Sequence, residues 1–248
     1  MSRFFLDAAE WGGETWLEGD EARHLGQVLR GQPGKHVWVF DGQGRRAEAE
    51  ILEVAKTRVL LKLGKPVAPP PLRPEIILAQ AIPKGKMMET IVQKAVELGV
   101  REIQPLLTEH TVSRPSAHKA EKWRRTALEA CKQCGQDLLP AVHQPAEIDA
   151  WIASLGADPG GDELRVIASL APGARPMREV LRSLDSPPRR AVLLVGPEGD
   201  FSPPETTAAL EAGFRPVSLG RIVLRVETAS LFCLSAMRYE FATDENPG

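Results

Sequence analysis

Two glycine-centred segments near the end of the chain contain residue types that could bind a small molecule. The first, VLLVGPEGDFSPPE at residues 192–205, passes from an apolar run into a Gly-Pro-Glu-Gly turn. Proline fixes one φ angle in this turn, whereas Gly196 and Gly199 are free to adopt φ values that other residues avoid. We expect a tight loop that presents backbone N–H and C=O groups to a ligand, with an ordinary strand-to-helix turn as the alternative. Ser202, which precedes two prolines, is the expected N-cap of the next helix.

The second segment, LGRIVLRVETAS at residues 219–230, places an apolar stretch after a Leu-Gly turn and before a helix. Apolar loop residues beside a glycine turn make a cavity suited to an adenine ring held by main-chain hydrogen bonds. Arg225 and Glu227 would stand at the edge of this cavity. A buried structural ion pair between their side chains is the competing interpretation. Thr228 is the expected N-cap of the last helix.

Several other kinds of site are disfavoured by the sequence. It contains no Gly-Lys-Ser/Thr phosphate loop, no G-x-G-x-x-G, no G-x-S-x-G and no H-E-x-x-H. The three cysteines are an odd number in a long chain, which favours reduced thiols over a disulfide framework. Cys131 and Cys134 form a single CxxC, with His143 and Cys233 as the only loose candidates for further metal ligands. We interpret the pair as two helix positions one turn apart and expect no metal site.

The elements that would position these segments form a regular alternation after residue 74. The strand candidates are EIILAQAI, REIQPLL, LRVIASL, RAVLLVG and FRPVSLG. Between them lie amphipathic helices, including KMMETIVQKAVELGV, which Gly99 ends, and the last helix spans about residues 228–241. Strands that alternate with helices predict a mainly parallel sheet covered on both faces, with ligands bound beyond the carboxyl ends of its strands.

A proline-rich connector separates this region from the N-terminal part of the chain. PVAPPPLRP at residues 66–74 has five prolines in nine positions, so it cannot continue a helix or a central strand. Before it, HVWVFDGQGRRAEAEILEVAKTRVLLKLG alternates apolar and polar residues, with turns at Asp41 to Gly44 and Lys56 to Thr57. The pattern predicts a small antiparallel β-barrel.

Charge is distributed unevenly along the chain, although the net charge is only −2. Residues Lys84 to Lys132 hold ten Lys/Arg and six Asp/Glu, a local charge of +4 that leaves −6 on the remainder. The basic run around Trp123 predicts either a solvated helix face or a surface that contacts phosphates. The start of the chain lacks the apolar centre of a secretory signal, and no uncharged apolar run reaches about 18 residues. We therefore expect a cytoplasmic protein that does not enter a membrane.

Four motifs in the same order resemble one known family. GPEG, SLGRIVLRVETA and QKAVELGV, together with the N-terminal HLGQVLRGQPGKHVWVFDGQG, are similar to the RsmE family of 16S ribosomal RNA uridine-N3 methyltransferases of the SPOUT superfamily. The resemblance implies an α/β fold with a PUA-like RNA-binding β-barrel at residues 1–70. It also implies a SPOUT methyltransferase domain at residues 73–244, whose C-terminal part is tied in a deep trefoil knot. Chains rarely thread their own loops, so this fold would be an exception.

The resemblance also implies ligands and partners. The cofactor would be S-adenosylmethionine (SAM), and the substrate would be small-subunit ribosomal RNA. The protein would be a homodimer whose interface includes apolar residues of the last helix. The implied interface residues are Leu231, Phe232, Leu234 and Met237. The implied cofactor contacts are Leu170, Gly196, Pro197, Glu198, Leu219, Gly220, Ile222 and Leu224.

Functional roles follow from this resemblance and from the expected position of the cavity. Arg225 could stabilise negative charge on a uracil carbonyl oxygen, while Glu227, Glu198 or water takes the imide proton. The candidates for RNA contacts are His24, Arg30, Lys84, Lys86 and Lys94. The chain departs from the family pattern at Asp200, Val96, Val226 and Gln136, which affects substrate contacts more than cofactor binding.

Two other functions fit the sequence. A barrel with a basic surface could belong to a ribosome-assembly factor that binds RNA without catalysis and keeps only a vestigial cofactor pocket. An α/β enzyme acting on a small molecule would have the same strand-end site, with the N-terminal region dispensable. If RNA is the substrate, the assembled small subunit would supply the shape that selects one flexible uridine.

Overall fold

The computed structural model describes residues 1–112, 115–156, 159–171 and 173–241. The chain divides into two compact units. The first contains Met1–Pro71 and Leu128–Leu139, and the second contains Leu72–Ala127 and Pro140–Gly248. The predicted end of the second domain at residue 244 lies outside the described residues.

The first unit is built on a five-stranded sheet. Its elements are β1 (Arg3–Phe5), β2 (Glu14–Leu17), α1 (Gly19–Arg23), β3 (His36–Phe40), β4 (Arg46–Val54) and β5 (Val59–Leu63). The strand order is β1-β3-β4-β5-β2, and every pair is antiparallel except β1 with β3. The two predicted turns join β3 to β4 and β4 to β5, as expected from the alternating pattern. In this order β1 and β2 are the edges of the sheet, so the unit is a half-barrel, which is consistent with the small PUA-like barrel that the sequence predicts.

Residues Leu128–Leu139 belong to the first unit, and their side chains pair with its charged groups. Asp137 accepts a hydrogen bond from Arg3 at 2.6 Å and lies 3.5 Å from Arg46. Lys132 pairs with Glu21 at 2.7 Å. Nothing in the local sequence pattern indicates this return of the chain.

The second unit contains an eight-stranded sheet and six helices among the described residues. Its strands are β6 (Glu75–Ala81), β7 (Glu102–Leu107), β8 (Ala141–Val142), β9 (Ala146–Glu147), β10 (Glu163–Ala168), β11 (Arg175–Pro176), β12 (Arg190–Val195) and β13 (Arg215–Ser218). Its helices are α2 (Met87–Glu97), α3 (Ala117–Cys134), α4 (Ile148–Leu155), α5 (Met177–Arg182), α6 (Pro203–Glu211) and α7 (Val226–Phe241). The C-terminal part of α3 belongs to the first unit.

All strand pairs in this sheet are parallel, which confirms the predicted α/β class with a mainly parallel sheet. The order is β11-β13-β10-β12-β6-β7-β8, with β9 paired to β7. Strands β6 and β12 are almost entirely buried, which explains their continuous apolar sequences.

Helices cover both faces of this sheet. On one face, Ile77 and Ala79 of β6 pack in a core cluster with Ile152 of α4 and Ala209 of α6. On the other face, the side chain of Gln80 meets the last helix α7. Because successive residues of a strand point to opposite faces, these contacts place α4 and α6 opposite α7. None of the helices in the described ranges is long and apolar enough to cross a membrane.

Candidate active site

A cavity of about 620 Å³ lies at the carboxyl ends of β10, β12 and β13, where the sequence predicts a ligand site. Its walls are three loops, after Ala168, after Val195 and after Ser218, together with the first turn of α7. All ten residues assigned to cofactor binding or catalysis line it: Leu170, Gly196, Pro197, Glu198, Leu219, Gly220, Ile222, Leu224, Arg225 and Glu227. The structure also adds wall residues that sequence analysis did not assign, including Met87, Ser169 and Val223.

The Gly-Pro-Glu-Gly loop needs glycine for space. A Cβ at Gly196 would lie 3.2 Å from the Phe201 ring, and one at Gly199 would lie 3.0 Å from Cβ of His110. Neither glycine has a positive φ, so the expectation that they supply unusual φ angles is wrong. The left-handed residue of this loop is Asp200, with φ of 59°. Its carboxylate accepts the N–H of Phe201 at 2.8 Å, a local bond of the kind that lets aspartate adopt this conformation.

Hydrogen bonds anchor this loop and the start of α6 to neighbouring segments. Glu198 Oε1 accepts the backbone N–H of Lys84 at 2.9 Å. His110 Nδ1 lies 2.9 Å from the carbonyl oxygen of Asp200, and this bond raises the pKa of the His110 ring. Glu205 accepts the backbone N–H groups of Glu109 and Ser202, both at 2.8 Å. Ser202 is the N-cap of α6, as predicted.

The Leu-Gly loop presents apolar surface to the cavity. Gly220 has φ of 119°, a conformation that side-chain-bearing residues rarely adopt. Ile222 and Val223 are 78% and 71% exposed, and Leu170 across the cavity is 65% exposed. Apolar walls with a few polar groups are typical of sites that bind small organic molecules.

Arg225 and Glu227 lie at the beginning of α7 on the cavity wall. The Arg225 side chain is exposed, and its carbonyl oxygen accepts the N–H of Ala229 at 2.8 Å. Because Arg225 is exposed and Glu227 is only half-buried, the two residues do not form the buried structural ion pair of the competing interpretation. Thr228 lies inside the first turn of α7, which begins at Val226, so the predicted N-cap is also wrong.

A buried polar pair fixes the beginning of α7 against the sheet. Ser230 Oγ donates to Gln80 Oε1 at 2.5 Å and also lies 2.9 Å from the carbonyl oxygen of Val226. Both side chains are fully buried. Sequence analysis missed this pair. Its only signal in the sequence was Gln80, a polar residue inside the apolar run of β6.

The candidate RNA-contact residues fall on both units. Lys84 and Lys86 are exposed in the loop before α2, whose residue Met87 lines the cavity. Lys94 is half-buried and its ammonium lies 2.9 Å from Glu97. In the first unit, His24 and Arg30 are exposed on the segment after α1, and Arg30 has a positive φ of 50°.

Part of the basic run on α3 is occupied by structural contacts, while Lys119 and Arg125 are exposed. Trp123 is buried, and Arg124 donates to the carbonyl oxygen of Val142 at 3.0 Å. Lys122 pairs with Glu89 at 2.8 Å, and Lys132 pairs with Glu21. These contacts favour a packed and solvated helix over a phosphate-binding surface.

The two cysteines of the CxxC motif lie within α3 and are one helical turn apart. Cys131 is buried, and burial raises the pKa of its thiol to about 12. Cys233 is also buried, with its thiol pKa raised to about 12 for the same reason. Across the described residues, no group of three or more His, Cys, Asp or Glu side chains is placed to hold a metal ion.

Two family models match the two regions of the chain. Residues 70–238 match the RNA methyltransferase domain, and residues 17–64 match the RNA methyltransferase PUA domain. The parallel α/β sheet with its strand-end cavity and the N-terminal half-barrel therefore define an RNA methyltransferase with a PUA-like domain.

Relatives narrow this class to one family. The chain is 34% identical to ribosomal RNA small subunit methyltransferase E of Synechocystis, over 87% of this chain and 69% of the relative. It superposes on the enzyme of that name from Neisseria gonorrhoeae, bound to SAM, with a TM-score of 0.86 and 30% identity, covering 97% and 98% of the two chains. A methyltransferase from Legionella pneumophila in complex with SAM gives 0.84 and 32%, covering 96% of each chain. The chain belongs to the ribosomal RNA small subunit methyltransferase E family.

The four departures from the family motifs lie in different surroundings. Asp200 and Val226 line the cavity, and Val226 is nearly buried beside Arg225. Val96 is in the core on α2, away from the cavity wall. Gln136 is in the first unit, where its carbonyl oxygen accepts a hydrogen bond from Arg3 at 3.2 Å.

Proposed function

We propose that this protein transfers a methyl group from SAM to N3 of one uridine in small-subunit ribosomal RNA. The observation that carries the proposal is the single cavity formed by the two glycine-centred loops, with Arg225 and Glu227 on its wall. Family membership supports the reaction class, and relatives of this family are seen with SAM bound. The uridine and its N3 atom come from the resemblance of the motifs.

The residues of the cavity fit SAM. Its volume of about 620 Å³ is within the range of about 300–1,000 Å³ usual for small-molecule sites. Gly196 lets the backbone come close to Phe201, and Gly220 supplies a left-handed turn in the facing loop. Backbone groups around Gly196, Leu219 and Gly220 would hold the nucleoside, with Leu170 and Ile222 against its apolar ring.

The residues at the beginning of α7 would assist the transfer. When bound, SAM supplies an electrophilic methyl group on a positively charged sulfur. Arg225 stabilises the negative charge that develops on a uracil carbonyl oxygen as the N3 proton leaves. Glu227 accepts that proton. The loops orient the uridine, and this alignment contributes a large part of the rate enhancement.

The lysines beside the cavity would hold the RNA backbone. Lys84 and Lys86 are exposed, and neither side chain has an ion-pair partner among the residues that the structure describes. Phosphate binding by these lysines, with Arg30 and His24 on the first unit, makes RNA affinity fall steeply with salt.

The test of this assignment is Arg225→Ala. Methyl transfer to small ribosomal subunits should fall by about 10²- to 10³-fold, the cost of removing one group that stabilises developing charge. Calorimetry should give a Kd for SAM within about twofold of wild type, since backbone atoms hold most of the nucleoside. Undiminished turnover would discard Arg225 as a catalytic residue. Mass mapping of methylated nucleosides in ribosomal RNA from cells with and without the protein identifies the target nucleotide.

We further propose that the enzyme acts in the cytoplasm on assembled subunits and works as a homodimer. Phe232 of α7 is 48% exposed and Tyr239 is 84% exposed, which supports an interface on this helix. Leu234 and Met237 are fully buried within the single chain, so they cannot form that interface directly. Sedimentation of wild type and Phe232→Glu tests the dimer, which the variant should weaken.

The C-terminal knot belongs to the same proposal. In the sheet, β12 lies between β6 and β10, and β13 lies on the far side of β10. The connection from β12 to β13 therefore passes over β10. This order supports a loop through which the chain end passes. When the two chain ends are pulled apart, a knot retains part of the chain. The stretched length should then be shorter than that of a fully extended chain, about 3.4 Å per residue. A fully extended chain would show that no knot exists.

A further inference from the structure

Glu198 connects two loops beside the cavity. Its Oε1 accepts the backbone N–H of Lys84 at 2.9 Å, although the two residues are 114 positions apart in sequence. One loop, residues 196–200, forms part of the cavity wall. The other, residues 82–86, carries Lys84 and Lys86 and leads into Met87, which also lines the cavity. A single side chain therefore links the cavity wall to the lysines.

The loop before α2 is buried at Ile82 and Pro83 but exposed from Lys84 to Lys86, and it has few other hydrogen-bond anchors. Its first residue, Ile82, donates its N–H to the carbonyl oxygen of Leu106 at 3.0 Å, which extends the sheet. Pro83 has no N–H to donate. Gly85 has φ of 69°, a conformation that glycine adopts readily in turns. The first available donor in the turn is thus the amide of Lys84, and the Glu198 carboxylate receives it. A carboxylate acceptor makes this bond stronger than one between neutral groups.

We propose that Glu198 is a positioning residue that holds Lys84 and Lys86 beside the cavity, so that phosphate binding brings the target base to its mouth. This inference rests on the proposed function, since it concerns how the RNA substrate is placed. In this role the Glu198 carboxylate accepts a backbone N–H group. It is not the base that removes the N3 proton. Glu227 is left as the carboxylate for that step.

The two roles predict different behaviour of Glu198→Gln. Glutamine keeps a carbonyl oxygen where Oε1 lies, so it can still accept the Lys84 N–H, but it cannot accept a proton as a base does. Glu198→Ala loses both capacities. Glu211→Ala, which removes an exposed carboxylate at the end of α6 outside the cavity wall, is the matched control.

The experiment measures kcat, KM for unmethylated small subunits, and Kd for SAM in the full-length variants. We expect Glu198→Ala to raise KM about five- to tenfold with kcat reduced less than threefold, because loop placement is lost while chemistry is kept. Glu198→Gln should restore KM to within about threefold of wild type, and Glu211→Ala should match wild type. Loss of kcat in both Glu198 variants with KM unchanged would overturn the proposal in favour of the base.

Hydrogen exchange gives a readout that does not depend on activity. Deuterium uptake of peptides covering residues 82–88 should rise in Glu198→Ala and stay near the wild-type level in Glu198→Gln. Unchanged uptake in Glu198→Ala would show that the bond does not hold the loop, which also overturns the proposal. If wild type fails to methylate subunits, the proposed function fails, whereas the exchange result still decides whether Glu198 anchors the loop.

Discussion

Gly220→Ala tests whether the shape of the Leu-Gly loop holds the cofactor. Gly220 has φ of 119°, and a Cβ built there meets no atom within 4 Å. The substitution therefore adds backbone strain without a steric clash. Holding an alanine at such a sparsely populated φ costs about 1–3 kcal/mol.

This cost should appear as lost affinity for SAM. The loop is exposed at Ile222 and Val223, so the free variant can relax to a negative φ and relieve its strain. Binding must then restore the strained conformation, so the whole strain energy reduces the free energy of SAM binding. At about 1.4 kcal/mol per tenfold change, a cost of about 1–3 kcal/mol should raise the Kd for SAM about 5- to 150-fold.

The matched control is Gly44→Ala, in the turn between β3 and β4. Gly44 has φ of 99° and open space around its Cβ position, but it does not line the cavity. Calorimetry and thermal unfolding should show a lower Tm for Gly44→Ala with an unchanged Kd for SAM. If Gly220→Ala binds SAM within twofold of wild type, the loop conformation described here does not determine affinity, and the reasoning is refuted.

Three further predictions concern other parts of the second unit and the cysteines. Gly196→Ala puts a Cβ 3.2 Å from the buried Phe201 ring, so overpacking should cost about 1–3 kcal/mol of unfolding free energy and lower the Tm; an unchanged Tm would mean that the ring can shift. The bond to Asp200 raises the pKa of His110 above 6.5, so its stabilisation is complete below about pH 6.5 and is lost as pH rises through the folded pKa. The Tm difference between wild type and His110→Ala should therefore be larger at about pH 5.5 than at about pH 8.5, and an equal difference at both would contradict this assignment. Cys131 and Cys233 are buried with thiol pKa values of about 12, so a thiol reagent should label only Cys134 in the folded protein, and labelling of all three without denaturant would contradict the burial.

Local sequence patterns predicted the elements that are long and regular. The apolar runs of β6 and β12 and the helical spacing in α2 follow directly from burial on two faces or on one stripe. The strands β8, β9 and β11 have two residues each, too few for any periodicity to show. Strand order is equally invisible to local patterns, because it depends on contacts between distant residues.

The candidate site was predictable where chemistry depends on residue type and on motif. All ten residues assigned to cofactor binding or catalysis line one cavity because the ends of β10, β12 and β13 meet at one edge of the sheet. The role of glycine was predicted for the wrong reason at Gly196, where close approach and not φ excludes a side chain. The bond from Lys84 to Glu198 and the pairing of Gln80 with Ser230 could not be predicted, since each joins residues more than a hundred positions apart.

The membership of Leu128–Leu139 in the first unit limits how this gene can be divided. A fragment ending at the proline-rich connector would leave Arg3 without Asp137 and Glu21 without Lys132. In the other fragment, the C-terminal part of α3 and the residues that follow it would have lost their partners in the first unit. The first unit is made of two separate segments of the chain, so fusion, shuffling or transplantation of this unit must carry two pieces of coding sequence.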